Sequence, residues 1–306
     1  MEKSLLKDSV RQIKNTFKRF LSIVAIVLLG VGFFAGITAT SPDMKDTIDT
    51  YFDDENVMDI EVISTLGLTD EDIEALKQVD GTKDVVGTYS IDATFSNDKK
   101  EYVVKIESMP DTINNVILKE GSLPQNADEC VVESSLLTMT GYKIGDYITL
   151  NPQKVESSTS LGDIDISNDE DSNNEESDSN NDSTVKNKKV KIVGTVQSPL
   201  YISRSRGSSK LGAGSVNFYM YMPKENFNMD VYTIAYITAD GAKNLKTYKD
   251  EYQKKIDKVK DNIEAISDER KQARYNSIVN TAQSKLDDAQ KEYDEQKQKT
   301  EDELQD

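Results

Sequence analysis

The sequence predicts an α+β membrane protein with one N-terminal transmembrane helix, a mixed α/β extracytoplasmic domain and a long C-terminal coiled-coil helix. Three observations support this prediction. Residues 20–40 carry no charge, residues 41–240 alternate short apolar strands with short helices, and no Gly or Pro follows Gly241. A basic cytoplasmic segment is predicted at residues 1–19, and the C-terminal helix is predicted at residues 241–306.

Residues 20–40 form the candidate transmembrane helix. At about 1.5 Å of rise per residue, a helix of this length spans about 31 Å, which matches the hydrocarbon core of a bilayer. A cleaved signal peptide is the alternative, because the basic N-terminus fits one and residues 37–39 form a passable cleavage site. Apolar regions of signal peptides are only about 7 to 15 residues long, so an uncleaved span is the preferred interpretation.

The charges beside the span predict its orientation. Six basic and two acidic residues precede it, whereas residues 43–59 hold seven acidic residues and one lysine. Cytoplasmic flanks collect Lys and Arg, so we expect the N-terminus inside and residues 41–306 outside the cell membrane. Apolar residues also recur every three or four positions in residues 1–19, which is typical of an amphipathic helix lying on the inner leaflet.

Small residues follow one side of the predicted span. Gly32 and Gly36 form a GxxxG pattern, and Ala25 and Ala39 fall near the same face. Small residues let a second transmembrane helix approach closely, so this face is a candidate packing surface. Glycine is also common in membrane helices that have no such role.

The composition excludes several function classes. A formal charge of −18 gives a surface that repels nucleic acid. The absence of histidine removes the commonest general base and the commonest metal ligand, and the single Cys130 allows no intrachain disulfide. Residues 207–212 come nearest to a GxxxxGK[ST] phosphate loop, but Ala213 stands where the lysine belongs. No catalytic residue, metal site or cofactor is therefore predicted.

Eight segments of the extracytoplasmic domain have the pattern of β-strands, at residues 57–64, 83–95, 101–108, 129–132, 147–150, 189–196, 215–222 and 231–238. Residues 57–64 alternate apolar and acidic side chains, and the β-rich segments 83–95 and 101–108 predict a hairpin. Residues 147–150 are expected to pair with the strand at 189–196, because an isolated strand would leave its backbone groups unpaired.

A short helix is expected at residues 69–77. Thr69 stands at its start, and Asp72 is the acidic residue three positions later. This spacing predicts a capping box, in which the two residues satisfy each other's backbone amides.

Residues 153–187 differ in composition from the rest of the domain. Between residues 155 and 185 there are ten acidic residues and no Lys or Arg, so this segment is predicted to be a disordered acidic loop. Its alternating aspartates suggest a calcium loop as the alternative. The EF-hand pattern requires Gly and Glu where the chain has Asn168 and Asn174, which favours a solvated loop.

A basic cluster lies within the acidic domain at Arg204, Arg206 and Lys210. These side chains are candidates for binding a phosphate headgroup or an acidic partner. The alternative is that the three charges pair with acidic groups of their own domain.

The C-terminal helix carries apolar residues at three- and four-residue spacing, which predicts a narrow coiled-coil seam. Its first part consists of Ile256, Val259, Ile263 and Ile266, and the spacing continues through Tyr275, Val279, Leu286 and Tyr293. A helix this polar needs a partner, and no second heptad segment is available to cover the seam. We therefore expect either oligomerisation or a return helix beyond a truncated end.

Four segments carry a resemblance to a known family. The most specific is EGSLPQNADECVVESSLL followed by GYKIGDYITL, with FKRFLSIVAIVLLGVGFFAGI before it and VKIVGTVQSPLYISRSRG after it. With these segments the chain resembles the N-terminal part of a bacterial MacB/FtsX-type ABC transporter permease. More narrowly, it resembles large Firmicute members with a coiled-coil insertion in the first extracytoplasmic domain.

The resemblance implies a non-catalytic permease subunit in the bacterial plasma membrane. Such a subunit couples ATP hydrolysis by a separate cytoplasmic ATPase to motion of its extracytoplasmic domain, for export or extraction of a peptide, lipid or lipoprotein. The implied partners are the lipid bilayer, that ATPase, and further permease helices or a second permease copy. Family members have four spans per repeat, so the chain is expected to be an N-terminal fragment. The alternative is a membrane-anchored coiled-coil adhesin or scaffold.

Overall fold

The computed structural model describes residues 11–97, 100–152, 183–203 and 205–303. The chain divides into two compact units, Met1–Phe52 and Asp53–Asp306.

One long helix dominates the first unit. This helix, α1 (Phe17–Asp54), is long and apolar enough to cross a membrane, and it continues well beyond residue 40, where the predicted span ends. Residues 11–15 are also helical, and a turn at Thr16 separates them from α1. Residues 1–10 of the predicted amphipathic helix lie outside the described residues.

The described part of the second unit contains two β-sheets and three further α-helices. The strands are β1 (Ile60–Leu68), β2 (Thr82–Thr88), β3 (Ser90–Asn97), β4 (Lys100–Ser108), β5 (Ile117–Gly121), β6 (Glu129–Glu133), β7 (Tyr147–Thr149), β8 (Asn151–Pro152), β9 (Lys189–Gln197), β10 (Phe218–Met222) and β11 (Tyr232–Ala239). The helices are α2 (Asp70–Lys77), α3 (Ser134–Thr140) and α4 (Asp250–Glu303).

The large sheet has the strand order β5-β9-β6-β10-β4-β3-β8, and β7 also pairs with β9. Strand β10 is parallel to β4 and β6 is parallel to β9, whereas the other pairs are antiparallel. Its core packs Phe95, Phe218, Met220 and Ile192, all of them fully buried. This sheet is the structural centre of the second unit.

The predicted pairing across the acidic segment is confirmed. Strand β7 runs antiparallel to β9, with Ile148 opposite Val190. The predicted C-terminal boundary of the disordered loop, at residue 187, is wrong. Val185 is buried in the core and pairs with Phe227. The backbone amides of Lys186 and Asn187 also donate to Asn226, so residues 184–187 belong to the folded domain. The acidic residues 156–182 lie in the part of the chain outside the described residues.

The predicted hairpin is confirmed between β3 and β4, which pair from Ser90 opposite Glu107 to Asn97 opposite Lys100. The single strand expected over residues 83–95 is wrong. The strand is interrupted at Tyr89, and β2 and β3 belong to different sheets.

The small sheet has the order β1-β11-β2 and packs against α2 and α4. The predicted capping box of α2 is confirmed, since the Thr69 amide donates to Asp72 Oδ2 at 2.8 Å and the Asp72 amide donates to Thr69 Oγ1 at 3.3 Å. Apolar side chains of the sheet, among them Ile237 and Val85, form a second core with both helices.

Helix α4 packs on the small sheet through the first part of its apolar seam. Ile256, Val259 and Ile263 are buried in the second core, and Ile266 is partly buried beside them. The expectation that nothing in the chain covers these residues is therefore wrong. A flat apolar sheet can cover a narrow helical stripe as well as a second helix can.

The second part of the seam is exposed on α4. It consists of Tyr275, Val279, Leu286 and Tyr293, each more than two-fifths exposed. At about 100° per residue, this stripe lies roughly 140° around the helix from the buried one. The two stripes therefore face different sides, and a coiled coil along the second one stays a prediction.

Candidate functional site at the helix–sheet junction

Polar contacts fix the orientation of α4 on the small sheet. The Tyr252 hydroxyl donates to Asp59 Oδ1 at 2.6 Å, and the amide of Ala239 donates to Asp59 Oδ2 at 2.7 Å. Nearly three turns further along α4, Asn262 Nδ2 donates to the Asp80 carbonyl at 2.9 Å. Together with the buried seam, these bonds attach the helix to the end of the sheet where β1 and β2 begin and β11 ends.

A partly buried ion pair extends this attachment to the start of α2. Arg270 Nε donates to Asp72 Oδ1 at 2.6 Å, and Asp72 is almost fully buried because it is also the capping residue of α2. Next along α4, Arg274 Nε donates to the Leu66 carbonyl at 3.1 Å. Both apolar and polar contacts therefore hold α4 on the small sheet.

A groove of about 780 Å³ lies between β1 and α4. Its apolar lining includes Ile63, Leu66, Ile266 and Tyr275. Its charged lining consists of Asp72, Asp268, Arg270, Lys271 and Arg274. A groove of this size can hold a ligand or a segment of another chain, and the sequence patterns did not predict it.

Two of the three members of the basic cluster lie within the described residues. Arg206 donates from Nε to Glu133 Oε2 at 3.0 Å and from a second guanidinium nitrogen to Oε1, and it lies over the Tyr219 ring. The hydrogen bonds from Arg206 to Glu133 raise the pKa of the arginine further. This pairing supports the alternative interpretation, in which the charge of Arg206 is satisfied inside the domain. Lys210 is exposed, and Arg204 lies outside the described residues.

A buried glutamate in the large sheet was missed by the sequence analysis. Glu107 accepts hydrogen bonds from the Tyr201 hydroxyl at 2.8 Å and from Ser90 Oγ at 2.9 Å. Burial raises the pKa of Glu107 to about 7. Its other oxygen, Oε2, has no partner among the described residues. Glu107 also lines a cavity of about 10 Å³, which is about the size of one water molecule. Burial therefore favours the protonated form of Glu107 more than in an exposed glutamate.

The small-residue face of α1 is open in the first unit. A methyl group added at Gly32 or Gly36 would meet no other atom within 4 Å, and Ala25 and Ala39 are exposed. The face is sterically available, and helix packing on it stays a prediction. Among the described residues, no cluster of three or more acidic or thiol groups could hold a metal ion.

The comparisons with known proteins assign the chain to a family. Residues 20–255 match the family model of the MacB-like periplasmic core domain. The chain belongs to this family. Its members are components of MacB/FtsX-type ABC transporter permeases, which are generally non-catalytic, so the resemblance seen in the sequence is confirmed. The family also implies a membrane context and an ATPase partner.

Three solved structures are similar to parts of the chain. The extracellular domain of the noncanonic ABC-type transporter YknZ from Gram-positive bacteria is 14% identical, with a TM-score of 0.33 over 64% of this chain and 85% of that one. A domain of a permease protein from Porphyromonas gingivalis is 15% identical, with a TM-score of 0.32 over 62% and 77%. The periplasmic region of MacB from Actinobacillus actinomycetemcomitans is 10% identical, with a TM-score of 0.29 over 59% and 67%. No curated protein matches the chain significantly.

Proposed function

We propose that the chain is a permease subunit that transmits ATP-driven motion from a separate cytoplasmic ATPase to its second unit. The cargo would be a peptide, a lipid or a lipoprotein that is exported or extracted from the membrane. The family supports the assignment to an ABC transporter, and the attachment of α4 to the small sheet supports the mechanical role.

The observation that carries the proposal is the length of helix beyond this attachment. Residues 275–303 of α4 continue for about 40 Å past Arg274, the last residue that bonds to β1. A small rotation of the sheet would move the far end of such a helix by several ångströms. The exposed stripe from Tyr275 to Tyr293 would then contact a moving partner, whether a return helix or a second permease copy.

The co-purification of an ATPase tests this proposal. The full-length chain is tagged, expressed with its neighbouring genes and purified from native membranes in a mild detergent. We expect an ABC ATPase in near-equal amount, and we expect its loss when residues 20–40 are replaced by an unrelated span of equal length. That second result would also support packing through Ala25, Gly32, Gly36 and Ala39. Recovery of the chain without any ATPase would contradict the proposal.

The proposed orientation places the N-terminus in the cytoplasm and residues 41–306 outside the plasma membrane. The charge asymmetry across the span supports it. A cysteine introduced at Ser172, with Cys130 changed to alanine, should react with a membrane-impermeant maleimide on intact cells. A cysteine at Ser4 is the matched control and should react only after lysis. The reverse pattern would refute the orientation.

A further inference from the structure

The groove between β1 and α4 has the features of a peptide-binding site. We propose that it binds an extended acidic peptide segment, which adds to the free edge of β1 as a further strand. This inference does not depend on coupling to an ATPase, because it concerns the second unit alone.

Strand β1 lies at an edge of the small sheet. Among the described residues, β1 pairs only with β11 and forms one edge of the sheet. All residues from Val62 to Leu68 line the groove, so side chains from both faces of the strand border it. A groove bordered in this way runs along the edge of the strand, where unpaired backbone groups are available to another chain.

Strand β1 also contains a bulge, which interrupts its pairing with β11. The two strands are in register up to Ile63 opposite Ile234, and pairing resumes only at Leu68 opposite Tyr232. Residues 64–67 therefore make no ladder contact with β11. Gly67 has a φ of +74°, and a side chain there would clash with Val231, so the backbone shape of the bulge depends on glycine.

Several apolar side chains around the groove are exposed to solvent. Ile63 is 67% exposed, Leu66 is 41% exposed and Tyr275 is 57% exposed. Alternate side chains of an added strand point to opposite sides, and such a strand could cover Leu66 and Tyr275 with its apolar residues.

The groove also contains a guanidinium group whose hydrogen-bonding capacity is only partly used. Arg270 is neutralised by Asp72 and Lys271 by Asp268, whereas Arg274 uses Nε to bond the Leu66 carbonyl. Arg274 Nη2 is buried and has no hydrogen-bond partner among the described residues. A carboxylate from a peptide bound in the groove would supply the missing acceptor.

An extended peptide fits these features better than a lipid does. A lipid would use the apolar lining and the guanidinium, but it would leave the backbone of the β1 edge unpaired. A strand satisfies the backbone, the apolar groups and Arg274 together.

The test uses the full-length chain in phosphatidylcholine nanodiscs and fluorescence anisotropy. The probe is a fluorescein-labelled heptapeptide of alternating valine and glutamate. Three comparison peptides have lysine in place of glutamate, N-methyl groups on the valines only, or N-methyl groups on the glutamates only. In an added strand, the amides of one alternate set face the edge and those of the other set face away.

We expect the acidic peptide to bind and the lysine peptide to bind at least about tenfold more weakly. One N-methylated peptide should lose binding while the other retains it. Arg274→Gln should weaken binding of the acidic peptide by about tenfold, whereas Lys291→Gln, the same charge change on α4 outside the groove, should leave it unchanged.

Several results would overturn the proposal. Equal binding of the acidic and lysine peptides would exclude Arg274 as the recognition group. Equal effects of the two N-methylated peptides would exclude strand addition, even if the Arg274 variant is poorly folded. Binding of dodecyl phosphate, with no binding of the acidic peptide up to about 1 mM, would assign the groove to an amphiphile instead.

Discussion

Arg270 Nε lies 2.6 Å from Asp72 Oδ1, and this ion pair joins the middle of a 54-residue helix to the first turn of α2. Asp72 also closes the capping box with Thr69, so one carboxylate serves both the local helix start and the long-range attachment. The pair fixes α4 against the start of α2, about one turn before Arg274 makes the last bond from α4 to β1.

Removing the positive charge at this position should destabilise the second unit. Arg270→Met keeps the aliphatic stem but leaves the buried Asp72 without its cationic partner, which should cost about 1 to 3 kcal/mol. Urea unfolding followed by tyrosine fluorescence measures the change. Lys271→Met is the matched control, because its exposed ion pair with Asp268 should contribute less than about 1 kcal/mol. Equal changes in the free energy of unfolding would show that the Arg270–Asp72 ion pair stabilises the protein no more than the exposed pair does.

The two apolar stripes of α4 should respond differently to charge. Val259→Asp places a carboxylate in the second core and should lower the free energy of unfolding by several kcal/mol. Val279→Asp, on the exposed stripe, should change it by less than about 0.5 kcal/mol in a monomer. Limited proteolysis should cleave α4 throughout in the first variant and only beyond residue 275 in the second. A mild effect of Val259→Asp would contradict the packing of α4 on the small sheet.

The pH dependence of stability should report the buried Glu107. Its pKa of about 7 in the folded protein is above the value of about 4.3 in an unfolded chain. The folded state therefore binds a proton that the unfolded state has lost between these values, and stability should fall as pH rises from about 4.5 to about 7. Glu107→Gln keeps acceptors for Tyr201 and Ser90 and should remove this part of the pH dependence. The same urea titrations at pH 5 and pH 8 compare the two proteins, and parallel pH profiles would refute the assignment.

The acidic insertion should be dispensable for folding, whereas its C-terminal border should not. Replacing residues 155–182 with a short Gly-Ser turn should change stability by about 1 kcal/mol or less, because closure entropy varies slowly with loop length. Adding Val185→Ser to that variant should cost about 2 kcal/mol more, since Val185 is buried in the core. Calorimetry would show both effects as shifts of Tm. A large loss from the loop replacement alone would make the insertion structural.

Local patterns in the sequence predicted the elements whose signals lie close together in the chain. The Thr69–Asp72 capping box, the β3–β4 hairpin and the apolar helix at residues 20–40 are of this kind. The pairing of β7 with β9 was predictable despite the long insertion, because the second strand required a partner.

Other features depended on contacts that local patterns do not encode. A heptad stripe has the same spacing whether a helix or a sheet covers it, so the packing of Ile256, Val259 and Ile263 was assigned to the wrong partner. Glu107 lies in the central strand β4, which is buried on both faces, so alternation could not indicate its environment. The partner of Arg206 is Glu133, which is distant in sequence.

We expect α4 and the small sheet to move together when the ATPase binds nucleotide. Double electron–electron resonance on the ATPase complex in nanodiscs tests it, with one spin-label pair at residues 77 and 286 and another at residues 13 and 286. We expect the distance from 77 to 286 to stay constant between the nucleotide-free and ATP-bound states, and the distance from 13 to 286 to change by several ångströms. A nucleotide-dependent change between 77 and 286, or no change in either pair, would contradict the account.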